Sequence, residues 1–145
     1  MKLYIDTNII LDVIYKREPF FYYSSKIWEL TEKKIIKCFI SASSITDIFY
    51  IASKELGKIV AKDIIADLLN IFEISDITKD IVEKSMLSRI QDLEDAIQYV
   101  SFLKTESDYL ITRNLKDFKD EKNNKIIDPE SFVKKYFFQN TNEFY

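Results

Sequence analysis

Five short apolar runs, separated by longer amphipathic stretches, set the rhythm of this chain. Leu3-Tyr4-Ile5 comes first and runs straight into the polar triplet Asp6-Thr7-Asn8. Short apolar runs bounded by polar residues read as buried strands. Ile35 to Ile40 predicts a second strand, Ile71 to Ser75 a third, Tyr109 to Thr112 a fourth and Ile126-Ile127 a last edge strand. Between them the pattern predicts helices over Ile9 to Tyr15, Phe20 to about Lys33, Ile45 to Leu56, Lys58 to about Asn70 and Thr78 to Ser88. Two more follow, one from near Asp92 and one from Pro129 to about Phe138. The punctuation agrees: Pro19 and Pro129 suit first helical turns, a serine within 41–44 can cap the third helix, and Gly57 can end it.

Alternating strands and helices of this kind predict one α/β domain over residues 1–145, a mostly parallel sheet flanked by helices. The mixed-charge stretch from Lys119 to Lys125 reads as a solvated loop, and the tail from Gln139 to Tyr145 as loose. Within the helix at 45–56, Ile45, Ile48, Phe49, Ala52 and Leu56 form the predicted core stripe. Asp47 lies off it, with Tyr50 and Ile51 as its neighbours at i+3 and i+4. In the helix from Asp92 the predicted stripe is Leu93, Ala96, Ile97 and Val100. Asp95 points to another side, shared with Tyr99 and Phe102, while Asp92 and Glu94 read as cap and first-turn residues. The helix from Phe20 carries more aromatic residues than one core stripe needs; burial on several sides and an exposed partner patch both remain open.

Composition narrows the chemistry. The chain has 145 residues, 47% of them hydrophobic, which suits a single core. A net charge of −3 and a pI near 5.1 argue against electrostatically driven nucleic-acid binding, though not against an enzyme that touches nucleic acid locally. There is no histidine, which removes Ser-His-Asp triads, Cys-His pairs and histidine-ligated metals together. Gly57 is the only glycine, so no Gly-rich phosphate loop can form. The lone Cys38 fits a reducing compartment, Asp6 interrupts the N-terminal apolar run before a signal sequence could form, and no run is long enough for a membrane span. The expected address is the cytoplasm, with no membrane partner.

What remains is carboxylates. In a parallel sheet, strand ends and the helices that follow them share one rim, where ligands bind. Asp6 and Asp117 reach that rim from strand ends, and Asp47 and Asp95 from first helical turns. Four carboxylates in one pocket raise one another's pKa unless a cation compensates. Oxygen-only donors select Mg²⁺ or Mn²⁺, and such ions activate water and stabilise the charge of a phosphodiester under attack. Lys16, Arg17, Arg113 and Lys116 are the nearby candidates for phosphate contact.

These segments resemble the PIN-domain family, and within it the VapC-type toxin ribonucleases. The resemblance rests on Asp6-Thr7-Asn8, Ser44-Ile45-Thr46-Asp47, Glu94-Asp95-Ala96, and Thr112-Arg113-Asn114 with Asp117-Phe118, in that order along the chain. It implies an α/β/α sandwich, Mg²⁺- or Mn²⁺-dependent cleavage of RNA, dimerisation and a cognate antitoxin. It further implies that Asp6, Asp95 and a last-segment acid, Asp117, hold metal with Asp47, and that Thr7, Asn8, Thr112 and Asn114 orient them. Position 47 is Asp where the family commonly has Glu, and position 114 is Asn rather than an acid. Two other readings stand beside this one. The chain could be a PIN-like module that binds a protein through its aromatic helix, its metal site weakened; an aspartate-nucleophile phosphatase fits less well, because Asn8 stands where its second aspartate should be.

Overall fold

In the computed structural model, which describes residues 1–141, a sheet of five parallel strands runs through the middle of the molecule. The elements in chain order are β1 (Lys2–Ile5), α1 (Thr7–Ile14), α2 (Phe21–Glu32), β2 (Lys37–Ser41), α3 (Ala42–Leu56), α4 (Lys58–Ile71) and β3 (Glu73–Ser75). They continue with α5 (Lys79–Met86), α6 (Leu93–Lys104), β4 (Tyr109–Ile111), a 3₁₀ helix (Leu115–Glu121), β5 (Ile126–Ile127) and α7 (Pro129–Thr141). The strand order is β3-β2-β1-β4-β5, with Ile5 opposite Ile40 on one side and Ile111 on the other. The chain therefore builds outward from β1 in one direction and then crosses to its other side. That reversal, between β1 and β4, is where open parallel sheets bind ligands.

Both faces of the sheet are covered, so the interior positions of its central strands are apolar, as in parallel strands generally. Successive residues of β1 serve opposite cores. Leu3 and Ile5 pack with Ile10, Ile27, Ile40 and Phe132, whereas Tyr4 packs with Ala96, Tyr99, Phe102 and Leu110. The expected serine cap forms, Ser41 Oγ accepting from the Ser43 amide at 3.3 Å, and Thr78 Oγ1 caps α5 by accepting from the Ile81 amide at 3.3 Å. Gly57, at φ 88°, breaks α3 from α4 in a conformation that other residues rarely adopt.

Several expectations need correction. The buried stripe of α6 is Ala96, Tyr99 and Phe102, and Leu93 is 44% exposed. Two aromatic rings bury more apolar area than the aliphatic stripe could, and they fill the space beside Tyr4. Leu56, placed in the core by its spacing, is 46% exposed at the end of α3. The segment 115–121 is helical, because Phe118 inserts into the second core. Helix α7 continues past Phe138 to Thr141; the rest of the tail lies outside the described residues. The aromatic helix α2 packs partly inward, Trp28 meeting Phe72 edge-on with centroids 5.1 Å apart, while Tyr22 stays exposed. Among the described residues no helix is long and apolar enough to cross a membrane.

Candidate active site

Asp6 leaves the central strand and takes the N-cap position of α1, with φ −64° and ψ 145°. An aspartate there usually turns its carboxylate back onto the helix. Asp6 does not. Its Oδ1 accepts from Gln98 Nε2 at 3.1 Å and its Oδ2 from Thr112 Oγ1 at 2.9 Å. Both bonds are buried and long-range, and they tie β1 to α6 and to the exit of β4. The Asp6 amide donates to the Ile111 carbonyl at 3.0 Å, which continues the β1–β4 ladder to the edge of the site. Thr7 Oγ1 meets Ser44 Oγ at 2.6 Å and pins the start of α1 to α3.

Around Asp6 opens a cleft of about 420 Å³. From α1 it is lined by Thr7, Asn8 and Leu11, and from α3 by Asp47, Tyr50 and Ile51. Glu94, Asp95 and Gln98 enter from α6, and Asn114 from the turn after β4. Other hollows exist, one of about 490 Å³ around Met1, Lys37, Asn70 and Glu73, but Glu73 is the sole acid lining it. The cleft at Asp6 is singled out by its chemistry. Asp47, Tyr50 and Ile51 line it together, so the off-stripe face of α3 is the face that meets the site.

Its electrostatics are those of crowded anions. Burial and the charges of Asp92, Asp117 and Asp6 push the Asp95 carboxyl up to about 6. Partial burial, then the charge and close approach of Asp47, with Asp92 and Asp6 behind, push Glu94 up to about 7. Gln98, 2% exposed, spends its amide N–H on Asp6 and leaves Oε1 without a partner.

The structure thus brings Asp6, Thr7, Asn8, Asp47, Asp95 and Asn114 to one cleft, and Thr112 behind it. Asp117 is not among the lining residues. It is exposed on the first turn of the 3₁₀ helix and reaches Asp95 through its charge. Two residues of the cleft are additions to the expected set. Asp92 caps α6, taking the Asp95 amide at 3.0 Å, and Glu94 sits in its first turn, both as expected, but Glu94 also lines the cleft. Gln98 was legible in principle, as the polar member of the stripe Asp95, Gln98, Tyr99 and Phe102.

The candidate phosphate contacts Lys16, Arg17, Arg113 and Lys116 lie outside the cleft lining. Among the described residues no lysine or arginine lines the cleft. Arg113 turns to the fully buried Asp12, its Nη2 donating to Oδ1 at 3.2 Å. Its Nε lies 3.1 Å from Oδ2, too poorly aligned for a hydrogen bond and therefore an ion-pair contact. Arg17 approaches the same carboxylate at 3.8 Å. Burial pushes the Asp12 carboxyl up from its ordinary value, against the pull of both arginines. A buried acid claims the nearest guanidinium before a surface phosphate can.

The donors of the cleft fit a hard divalent cation. They are oxygen only, and two of the carboxyls are raised by burial and then by neighbouring acids, both of which a cation would offset. Among the described residues, no three acids are drawn together tightly enough to hold an ion as they stand.

Known proteins bear on this geometry. Residues 2–116 match the model of the PIN domain. Over 122 residues the chain is 32% identical to the protein named Ribonuclease VapC1 of Aquifex aeolicus, covering 81% of this chain and 83% of that one. Its fold is similar to that in the VapBC2 structure from Rickettsia felis bound to a promoter DNA fragment, at a TM-score of 0.68 and 21% identity, over 88% of this chain and 98% of that one. A toxin-antitoxin complex from Klebsiella pneumoniae gives a TM-score of 0.66 and 24% identity, over 88% and 97%. The order of the four acid-bearing segments, the parallel sheet and the match over most of the length agree: the chain belongs to the PIN domain family.

Proposed function

We propose that the chain is a VapC-type endoribonuclease that hydrolyses RNA phosphodiester bonds with Mg²⁺ or Mn²⁺, as the toxin of a toxin-antitoxin pair. One observation carries the reading: Asp6, Asp47, Glu94 and Asp95 converge from three elements on one cleft at the sheet's switch point, with two carboxyls raised toward neutrality. The relative named Ribonuclease VapC1 supports the activity, and neighbours solved as toxin-antitoxin complexes support the partner. A homodimer and a cytoplasmic address complete the proposal on the family resemblance.

Asp6, Asp95 and Asp47 would hold the ion, with Glu94 beside them; Asp117 would act on it from a distance. When bound, the cation supplies charge stabilisation to the phosphodiester under attack and makes water a better nucleophile. The chain's own residues do the rest. Thr112 and Gln98 fix the direction of Asp6 by donating to its two oxygens. Glu94 and Asp95, whose carboxyls are raised to about 7 and about 6 in the metal-free cleft, would be held ionised by the cation's charge. Asn8 and Asn114 offer neutral amide donors to phosphate oxygens, which suits a cleft already rich in negative charge.

The test is cleavage of RNA by purified protein with and without Mn²⁺, beside Asp6→Asn and Asp95→Asn. Expected are Mn²⁺-dependent cleavage in the parent and loss of it in both variants, with circular dichroism unchanged. Equal cleavage in the variants overturns the proposal. So does the absence of Mn²⁺ binding at millimolar metal by calorimetry, which favours the interaction-module reading instead.

A further inference from the structure

We propose that Asp12 and Arg113 form a positioning pair that holds the Thr112-Arg113-Asn114 turn in register with Asp6. The inference rests on the ribonuclease reading of the cleft and goes beyond it. Adjacent residues of the turn grip the two ends of one helix. Thr112 donates to Asp6, the N-cap of α1, while Arg113 reaches Asp12, six residues further along the same helix. The Arg113 guanidinium also lies over the Phe20 ring, 4.1 Å from its centroid. Its position is therefore set by a buried carboxylate on one side and an aromatic face on another, an arrangement that suits a planar guanidinium and not an ammonium.

The turn needs such a hold. The Thr112 amide is the last to join the sheet, donating to the Ile127 carbonyl at 3.1 Å, and regular structure resumes only at Leu115. Between them the Asn114 amide donates back to Thr112 Oγ1 at 3.1 Å, so one hydroxyl serves both Asp6 and Asn114. If the turn shifts, both cleft residues lose their setting at once. Arg113 acts through Thr112 and Asn114 and touches neither substrate nor metal.

The test uses Arg113→Lys, which keeps the charge and loses the fork, and Asp12→Asn, which keeps the shape and loses the charge. In metal-free protein, amide hydrogen exchange at Asn114 is expected to accelerate about tenfold in both variants, while the core amides of Ile40 and Leu110 stay as in the parent. Mn²⁺ affinity by calorimetry is expected to fall by about tenfold in both, the effect usual for groups that orient metal ligands. kcat for RNA should fall with KM little changed. Unchanged exchange at Asn114 overturns the proposal, whether or not the protein cleaves RNA. A raised KM in Arg113→Lys with Asp12→Asn identical to the parent also overturns it, since that pattern belongs to a direct phosphate contact. A parent that neither binds Mn²⁺ nor cleaves RNA refutes the ribonuclease reading alone, and exchange at Asn114 still decides the positioning role.

Discussion

Asp95→Asn should flatten the dependence of stability on pH in the metal-free protein. The Asp95 carboxyl stands at about 6 in the fold against an ordinary value of 3.8. A folded-state pKa raised above the unfolded one means that the native state binds the extra proton, so stability is greatest below the unfolded value and falls as pH rises through the folded one. The window of loss runs from about pH 4 to about pH 6, and above it the penalty is complete. The difference is about two pH units, or about 3 kcal/mol at 1.36 kcal/mol per unit. Water reaches part of the side chain, and its screening leaves about 1 kcal/mol of that. Urea unfolding in chelator at pH 4 and pH 8 should therefore show the parent losing about 1 kcal/mol more between the two than Asp95→Asn, or about 3 °C in Tm. A parent and variant with the same pH dependence, or a variant with the steeper loss, refutes the raised Asp95 carboxyl.

Thr112→Val removes the donor to Asp6 Oδ2 and leaves a buried carboxylate oxygen short of a partner. A loss of about 1 to 3 kcal/mol in urea unfolding is expected. A loss below about 0.3 kcal/mol contradicts the bond's importance. Cys38 is buried, and burial pushes its thiol up to about 12, so it should be inert to a disulfide reagent in the native protein and react only on unfolding. Stoichiometric labelling of the folded chain at pH 8 contradicts its placement.

The sheet was legible in the sequence because its strands are short apolar runs cut by charged or capped turns, and the periodicity of Leu3, Tyr4 and Ile5 serves two cores at once. Asp6 was legible at a strand end and Asp95 in a first helical turn, whereas Asp47, expected in a first turn, lies in the second turn of α3 because that helix begins at Ala42. Local spacing could not rank competing faces of α6, where the size of Tyr99 and Phe102 outweighs a tidier aliphatic stripe. That misplaced stripe hid Gln98, whose burial makes sense only once the aromatic face is the core. Glu94 and Asp92 look alike as first-turn acids, and only the approach of α3 separates the one that caps from the one that meets Asp47. Arg113 looked available for phosphate because nothing in the sequence marks Asp12 as fully buried. Asp117 is near enough to act on Asp95 through its charge, but it sits on the 3₁₀ helix that seats Phe118 and is not part of the cleft lining.

The two bonds that aim Asp6 span 92 and 106 residues of chain. During synthesis, Asp6, Asp47 and Asp95 all leave the ribosome before Thr112 does, so a nascent chain carries the acids of the site without the contact that orients them. The central strand β1 cannot acquire its neighbour β4 until residues 109–111 have been synthesised. Contacts of such separation also form late in folding, because the loop they close must be ordered first. The aim of Asp6 thus depends on contacts that the chain can close only after the acids of the cleft have all been made.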